Sequence, residues 1–129
     1  MVPILIANDD VTSRNVLRYA LTGAGYSVSE ATTKEQTLML LHTSRVPLVV
    51  LLDFSLAKWH GMAILSAAAA DPILATRHAY VLMLLRDQTI SMAMARDVRQ
   101  MHVSLIAKPI RLTSIVTAVA SAAQRLALS

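Results

Sequence analysis

Three carboxylates and one lysine carry the chemistry in this chain: Asp9, Asp10, Asp53 and Lys108. Each follows a short apolar run. Asp9 and Asp10 come behind Asn8 after Val2 to Ala7, Asp53 closes Leu48 to Leu52, and Lys108 closes Val103 to Ala107. If these runs are neighbouring strands, the polar groups meet at one end of a sheet. Two carboxylates about 5 Å apart repel by roughly 3 kcal/mol at an effective dielectric near 20, so a cation is expected between them. Mg²⁺ suits an all-oxygen site of one or two carboxylates, a carbonyl and retained waters. Lys108 is a point cation for an anion on the other side. Such a carboxylate can accept a phosphoryl group as a nucleophile, forming an aspartyl phosphate, while the metal and Lys108 neutralise charge on the transferred group. A plainer reading stands beside this one, in which Asp53 ends a strand and caps the next turn.

The elements that must position these groups are legible as an alternation. Leu48 to Asp53 is an unbroken Leu and Val run closed by one carboxylate, as expected of a strand buried on both faces at the centre of a parallel sheet. Val2 to Ala7 reads as the first strand. Asp10 or Thr12 could cap a helix from about Val11 to Thr22, with Val16, Leu17, Ala20 and Leu21 on one face, stopped by Gly23 and Gly25. Tyr26 to Ala31 suits an outer strand. Thr32 or Thr33 caps a second helix, with Leu38, Leu40 and Leu41 inward. After a loop from Phe54 to His60, Gly61 opens a helix to about Ala70, which Asp71-Pro72 ends. Ala79 to Leu85 is a strand, Thr89 to Met101 a helix capped by Asp87 or Thr89, Val103 to Ala107 the last strand, and Leu112 to Leu126 the last helix.

Five strand–helix units require a parallel sheet with helices on both faces and right-handed crossovers. The expected fold is α/β, a flavodoxin-like (βα)5 three-layer sandwich with strand order 2-1-3-4-5. That order makes strands one and three neighbours, with the switch point at their C-terminal ends, where open α/β sheets place their sites. Asp9 and Asp53 fall there. Other uses of this architecture fit poorly. A flavodoxin-type phosphate loop would be repelled by Asn8-Asp9-Asp10. A haloacid-dehalogenase-type phosphatase needs an Asp where Ser55 stands. There is no P-loop, and His42, His60, His78 and His102 lie on different elements.

At 129 residues, one domain is expected over 1–129. A chain of this size buries roughly two-thirds of its unfolded surface and needs no staple. The absence of cysteine excludes disulfides and cysteine-based zinc sites and suits the cytoplasm. Met1 to Ala7 is too short for a signal h-region, and the charge-free stretch Gly61 to Ala70 too short to cross a bilayer. The net charge of +4 is spread over scattered Lys and Arg, so no nucleic-acid or membrane partner is expected.

These residues together resemble the receiver domain of bacterial two-component response regulators, over essentially the whole chain. Ile4 to Asp10 is similar to the family's first strand and acidic pair, with Arg14, Leu17 and Leu21 at family spacing. Gly25 to Val28 and Ala31 resemble the second strand, and Leu48 to Asp53 the third strand with the phosphoacceptor. Gly61 and Lys108-Pro109 also match, the latter a pair that in the family usually carries a cis peptide bond. The resemblance implies that Asp53 takes a phosphoryl group from a histidine kinase or phosphotransfer protein, using Mg²⁺. It implies metal contacts from Asp9, Asp53 and the Ser55 backbone carbonyl, with Asn8 and Asp10 as further candidates, and phosphoryl contact from Lys108. A homodimer through the last two helices is the family's common arrangement. Asn8, however, stands at the first acid. Leu85 or Arg86 stands at the fourth strand's switch hydroxyl, Leu105 at the switch aromatic, Ala57 at a loop proline and His60 at an acid. Arg86 is a candidate to pair with Asp53 or to bind the phosphoryl group instead of the hydroxyl. Trp59 either contacts a partner or folds back over the following helix. The competing expectation is a receiver-like interaction module that works without phosphorylation; an enzyme on small phosphates has little support.

Overall fold

A computed structural model describes residues 1–55 and 59–128. Its elements run β1 (Ile4–Ala7), α1 (Val11–Gly23), β2 (Val28–Ala31), α2 (Lys34–Thr43), β3 (Val49–Asp53), α3 (Gly61–Ala70), α4 (Pro72–Arg77), β4 (Ala79–Leu84), α5 (Met92–Asp97), β5 (His102–Ala107) and α6 (Leu112–Leu128). The strands form one parallel sheet in the order β2-β1-β3-β4-β5. This is the flavodoxin-like order the alternation requires.

β3 and β4 are buried at every residue, which is why they read as continuous apolar runs. On one face Leu5, Ala7, Val50, Leu52, Tyr80 and Leu82 pack against α2, α3, α4 and α5. On the other, Ile4, Ile6, Val49, Leu51, Val81 and Met83 meet Leu17 and Leu21 of α1 and Ile115, Val119, Ala122 and Leu126 of α6. The last helix therefore buries one face against the sheet, although it is apolar on more than one. Gly25 takes φ +96°, a conformation that glycine adopts without strain, and turns the chain from α1 into β2.

Several boundaries differ from expectation, most of them for a local reason. β1 starts at Ile4 because Pro3 has no N–H for the ladder. β2 spans only Val28–Ala31. β3 starts at Val49 because the Leu48 N–H goes to His78 Nδ1, 3.0 Å away. Asp71 does end α3, but its carboxylate also accepts from Ile73 and Leu74 N–H and starts α4, with Pro72 in the first turn, where its missing N–H costs nothing. The helix expected over Thr89 to Met101 shrinks to α5 and is capped by Ser91, not by Asp87 or Thr89. Asp10 and Thr33 supply the caps of α1 and α2. Val16 is exposed rather than inward. Trp59 folds back into the core, which removes it as an exposed partner contact. The Ala57 position lies outside the described residues.

His78 is fully buried between α2 and β3. Its Nε2–H donates to the Leu41 carbonyl (2.9 Å), and its Nδ1 accepts from Leu48. Burial lowers its pKa, and Arg77 pushes the same way. The neutral form is thus favoured in the fold. The stability it contributes is present above its ordinary pKa of 6.5 and is lost as pH falls from there towards the lowered folded value. Urea unfolding should therefore give a lower midpoint near pH 5 than near pH 8. His78→Ala, which orphans both backbone partners, should cost about 3 kcal/mol at neutral pH and flatten that slope. An unchanged slope in the variant would reassign the pH dependence to other groups.

Candidate functional site

Asp53 is the last residue of β3 and is only 1% exposed. Its Oδ1 accepts from the Ser55 N–H and from the Ser55 hydroxyl, both at 2.7 Å. Its Oδ2 accepts from Lys108 Nζ at 2.7 Å. The same Nζ donates to Ser55 Oγ at 2.6 Å. Lys108 follows β5 directly; its N–H donates to the Leu84 carbonyl (2.7 Å), and the Lys108–Pro109 bond is cis. The end of the sheet thus gathers Asp53, Ser55 and Lys108 into one closed hydrogen-bonded group. Both readings of Asp53 have a physical basis here, since Oδ1 caps the turn to Ser55 while Oδ2 holds the lysine. A cavity of about 240 Å³ between α1 and α6 reaches the pair, lined also by Ser13, Leu17, Met83 and Ile115.

The residues after β1 are arranged differently. Asn8 is fully buried and continues the register that sets Ala7 beside Leu52. Its Oδ1 accepts from Asp10 N–H (3.1 Å), its carbonyl accepts from Arg14 (3.2 Å), and its Nδ2 has no partner. Asp10 turns away to cap α1 through Ser13 N–H at 2.8 Å. The Ser13 hydroxyl and N–H hold its carboxyl below the usual carboxylate value. Asp9 is exposed and lines a separate cavity of about 450 Å³ with Thr33, Lys34, Glu35, Trp59 and His60.

Among the described residues, no three or more His, Cys, Asp or Glu side chains are grouped to hold a metal. Asp9, Asp53 and the Ser55 backbone carbonyl offer oxygen donors of the kind Mg²⁺ takes, although Asp9 and Asp53 line separate cavities here. Asn8 adds no charge, and its free Nδ2 is a donor that cannot ligate a cation.

The altered switch positions lie outside this group. β4 ends before Leu85 and Arg86, and both are exposed. Among the described residues Arg86 makes no ion pair, so nothing links it to Asp53. Leu105, on edge strand β5, is 53% exposed. Gln88, which the sequence reading passed over, ties the β4–α5 loop down. Its Oε1 accepts from Leu85 N–H (3.0 Å), and its Nε2 donates to the Phe54 carbonyl (2.8 Å). The Ser55 side chain was passed over too, since only its carbonyl was singled out. A signal for it existed: a serine two residues after an aspartate can hydrogen-bond back onto the carboxylate. Gly61 closes the site from below, because a Cβ there would sit 2.5 Å from the Asp53 carbonyl oxygen.

The fold has close relatives among solved structures. One is a CheY-like response regulator receiver domain protein from Methanospirillum hungatei (TM-score 0.81, 20% identity, 98% of each chain covered). Another is a putative response regulator from Chloroflexus aurantiacus (TM-score 0.78, 21% identity, covering 96% of this chain and 98% of that one). A third, NtrX from Brucella abortus, matches with TM-score 0.74 and 20% identity over 99% of this chain but only 28% of its own. Comparison with curated proteins yields no match. At these identities the structural likeness establishes the fold alone, but the family model for the response regulator receiver domain matches residues 4–120, and with the buried Asp53–Lys108 pair at the end of a 2-1-3-4-5 sheet the chain belongs to the response regulator receiver domain family.

Proposed function

We propose that this chain is a single receiver domain over 1–129, acting in the cytoplasm in two-component signal transduction, that accepts a phosphoryl group on Asp53 from a histidine kinase or phosphotransfer protein. The observation that carries the reading is the Asp53–Lys108 pair, a carboxylate buried at the switch point with a lysine at 2.7 Å. An Asp53 oxygen forms the new bond to phosphorus as the bond to the donor's histidine nitrogen breaks. The electron pair of that bond leaves with the imidazole, which departs neutral because its other nitrogen holds the proton. Lys108 shifts its charge from the carboxylate to the phosphoryl oxygens. Asp9, Asp53 and the Ser55 carbonyl would hold Mg²⁺, which when bound neutralises charge on the transferred group. The exposed Leu85, Met92 and Leu105, on or beside α5 and β5, support a homodimer through α5, β5 and α6.

Incubation with acetyl phosphate and Mg²⁺, followed by intact-mass measurement, tests the reading. Wild type should gain one phosphoryl mass, and Asp53→Ala or excess chelator should abolish the gain. No gain on wild type, or a gain that survives Asp53→Ala, would sink it. A second reading, an interaction module that works without phosphorylation, is favoured by the missing hydroxyl at Leu85 and Arg86 and by the loop that Gln88 pins to Phe54. It is the reading left standing if wild type stays unmodified.

A further inference from the structure

We infer that the Ser55 hydroxyl is the group that binds the phosphoryl oxygen in this chain, taking over from the β4 end, which offers only Leu85 and Arg86. The inference rests on the phosphoacceptor reading of Asp53 and deepens it. Three observations support it. First, Ser55 Oγ already lies within 2.7 Å of the acceptor carboxylate and 2.6 Å of Lys108 Nζ, so it touches both partners of the transfer. Second, Asp53 Oδ1 is doubly served, by the Ser55 N–H as well as by the hydroxyl. The hydroxyl can therefore leave without stripping that oxygen. Third, Oδ2 has Lys108 as its one donor among the described residues, which makes it the oxygen open to attack phosphorus.

The step balances without a further reactant. An Oδ2 lone pair forms the bond to phosphorus, and with acetyl phosphate the donor's bridging P–O bond breaks, its electron pair leaving on acetate. Oδ1 then becomes the carbonyl oxygen of an acyl phosphate, a weaker acceptor than the carboxylate it was. The negative charge has moved to the phosphoryl oxygens. The Ser55 hydroxyl hydrogen is free to rotate and swings to one of them, with Lys108 following on the same side. The Ser55 N–H stays on Oδ1. A donor that gains strength only as charge develops on the transferred group lowers the barrier rather than merely holding the ground state.

The test compares rates of adduct formation from acetyl phosphate with Mg²⁺ by intact mass, for wild type and three variants that all keep the residue 55 backbone carbonyl. Ser55→Ala should load at least about tenfold more slowly. Ser55→Cys, similar in size but a weak donor, should be slowed likewise, and Ser55→Thr, which keeps the hydroxyl, should recover most of the rate. Thermal melts of the variants should stay close to wild type, since Ser55 is only partly buried and Oδ1 keeps a donor. Wild type loading with alanine and cysteine variants equally fast would overturn the inference while leaving Asp53 as acceptor. Wild type failing to load would overturn both.

Discussion

Replacing Lys108 by methionine is expected to destabilise the fold by about 3 kcal/mol, the lower end of what breaking a buried ion pair costs. Asp53 is the reason. Its side chain is 1% exposed, and Lys108 is its one cationic partner among the described residues. Without that partner the carboxylate keeps only the Ser55 N–H and hydroxyl, two neutral donors. The lower end applies because Lys108 keeps 27% of its side-chain surface exposed, so water already screens part of the interaction. Against a typical total of about 5–15 kcal/mol the loss is large. The cost belongs to the stranded charge, not to the absent lysine. Adding Asp53→Asn to Lys108→Met should therefore restore much of the stability, although it removes the acceptor carboxylate. Urea unfolding of the two single variants and the double variant measures this. A Lys108→Met protein as stable as wild type would mean that the Asp53 carboxylate is not electrostatically dependent on Lys108.

Gly61→Ala should be comparably costly through an unrelated mechanism. The added Cβ would lie 2.5 Å from the Asp53 backbone oxygen and 2.9 Å from Phe54 Cδ1. The phenyl ring can swing aside. The oxygen belongs to the last residue of a strand hydrogen-bonded to its neighbours and cannot. The start of α3 or the end of β3 must move, at about 3 kcal/mol for overpacking a site this tight. Because the obstructing oxygen is that of Asp53 itself, the strain also falls on the acceptor. A displacement near 1 Å in a reacting group can cost about a hundredfold in rate. Thermal melting and phosphodonor loading measured together separate the two effects. A variant that melts like wild type and loads normally would show that the close approach relaxes at no cost.

The sheet was legible because its central strands need little beyond their own composition. β3 and β4 bury every residue, so continuous Leu, Val and Met runs mark them directly. What the sequence could not convey was decided by side chains acting across distance. Asp71-Pro72 signals a helix stop and a helix start equally well, and here it is both. α5 starts late because the Ser91 hydroxyl caps it through Met94 N–H, while Gln88 ties the preceding turn to Leu85 and Phe54. Val16 sits on the apolar side of α1 by spacing, yet it is left 46% exposed at the mouth of the cavity between α1 and α6. At the site, Asp53 and Lys108 are 55 positions apart and meet only through the strand order, which could be inferred. Asp10, an Asp directly before the apolar-periodic stretch, was legible as the cap of α1, and its hydrogen bond from Ser13 N–H turns it away from Asp53. The Ser55 contact to Asp53 was legible in their two-residue spacing, whereas its reach to Lys108 depends on the strand order.

Trp59 is the chain's single tryptophan, and it lies in the core, 8% exposed, with its indole N–H unpartnered. It is also six positions from Asp53, on the connection between β3 and α3. The protein therefore carries one tryptophan to excite apart from its three tyrosines, buried within the core and six positions from the acceptor. Its emission should be blue-shifted in the folded protein and should report on this one connection without the signal of other tryptophans. A change in that emission on adding acetyl phosphate and Mg²⁺ would report loading of the acceptor on the unlabelled wild-type chain.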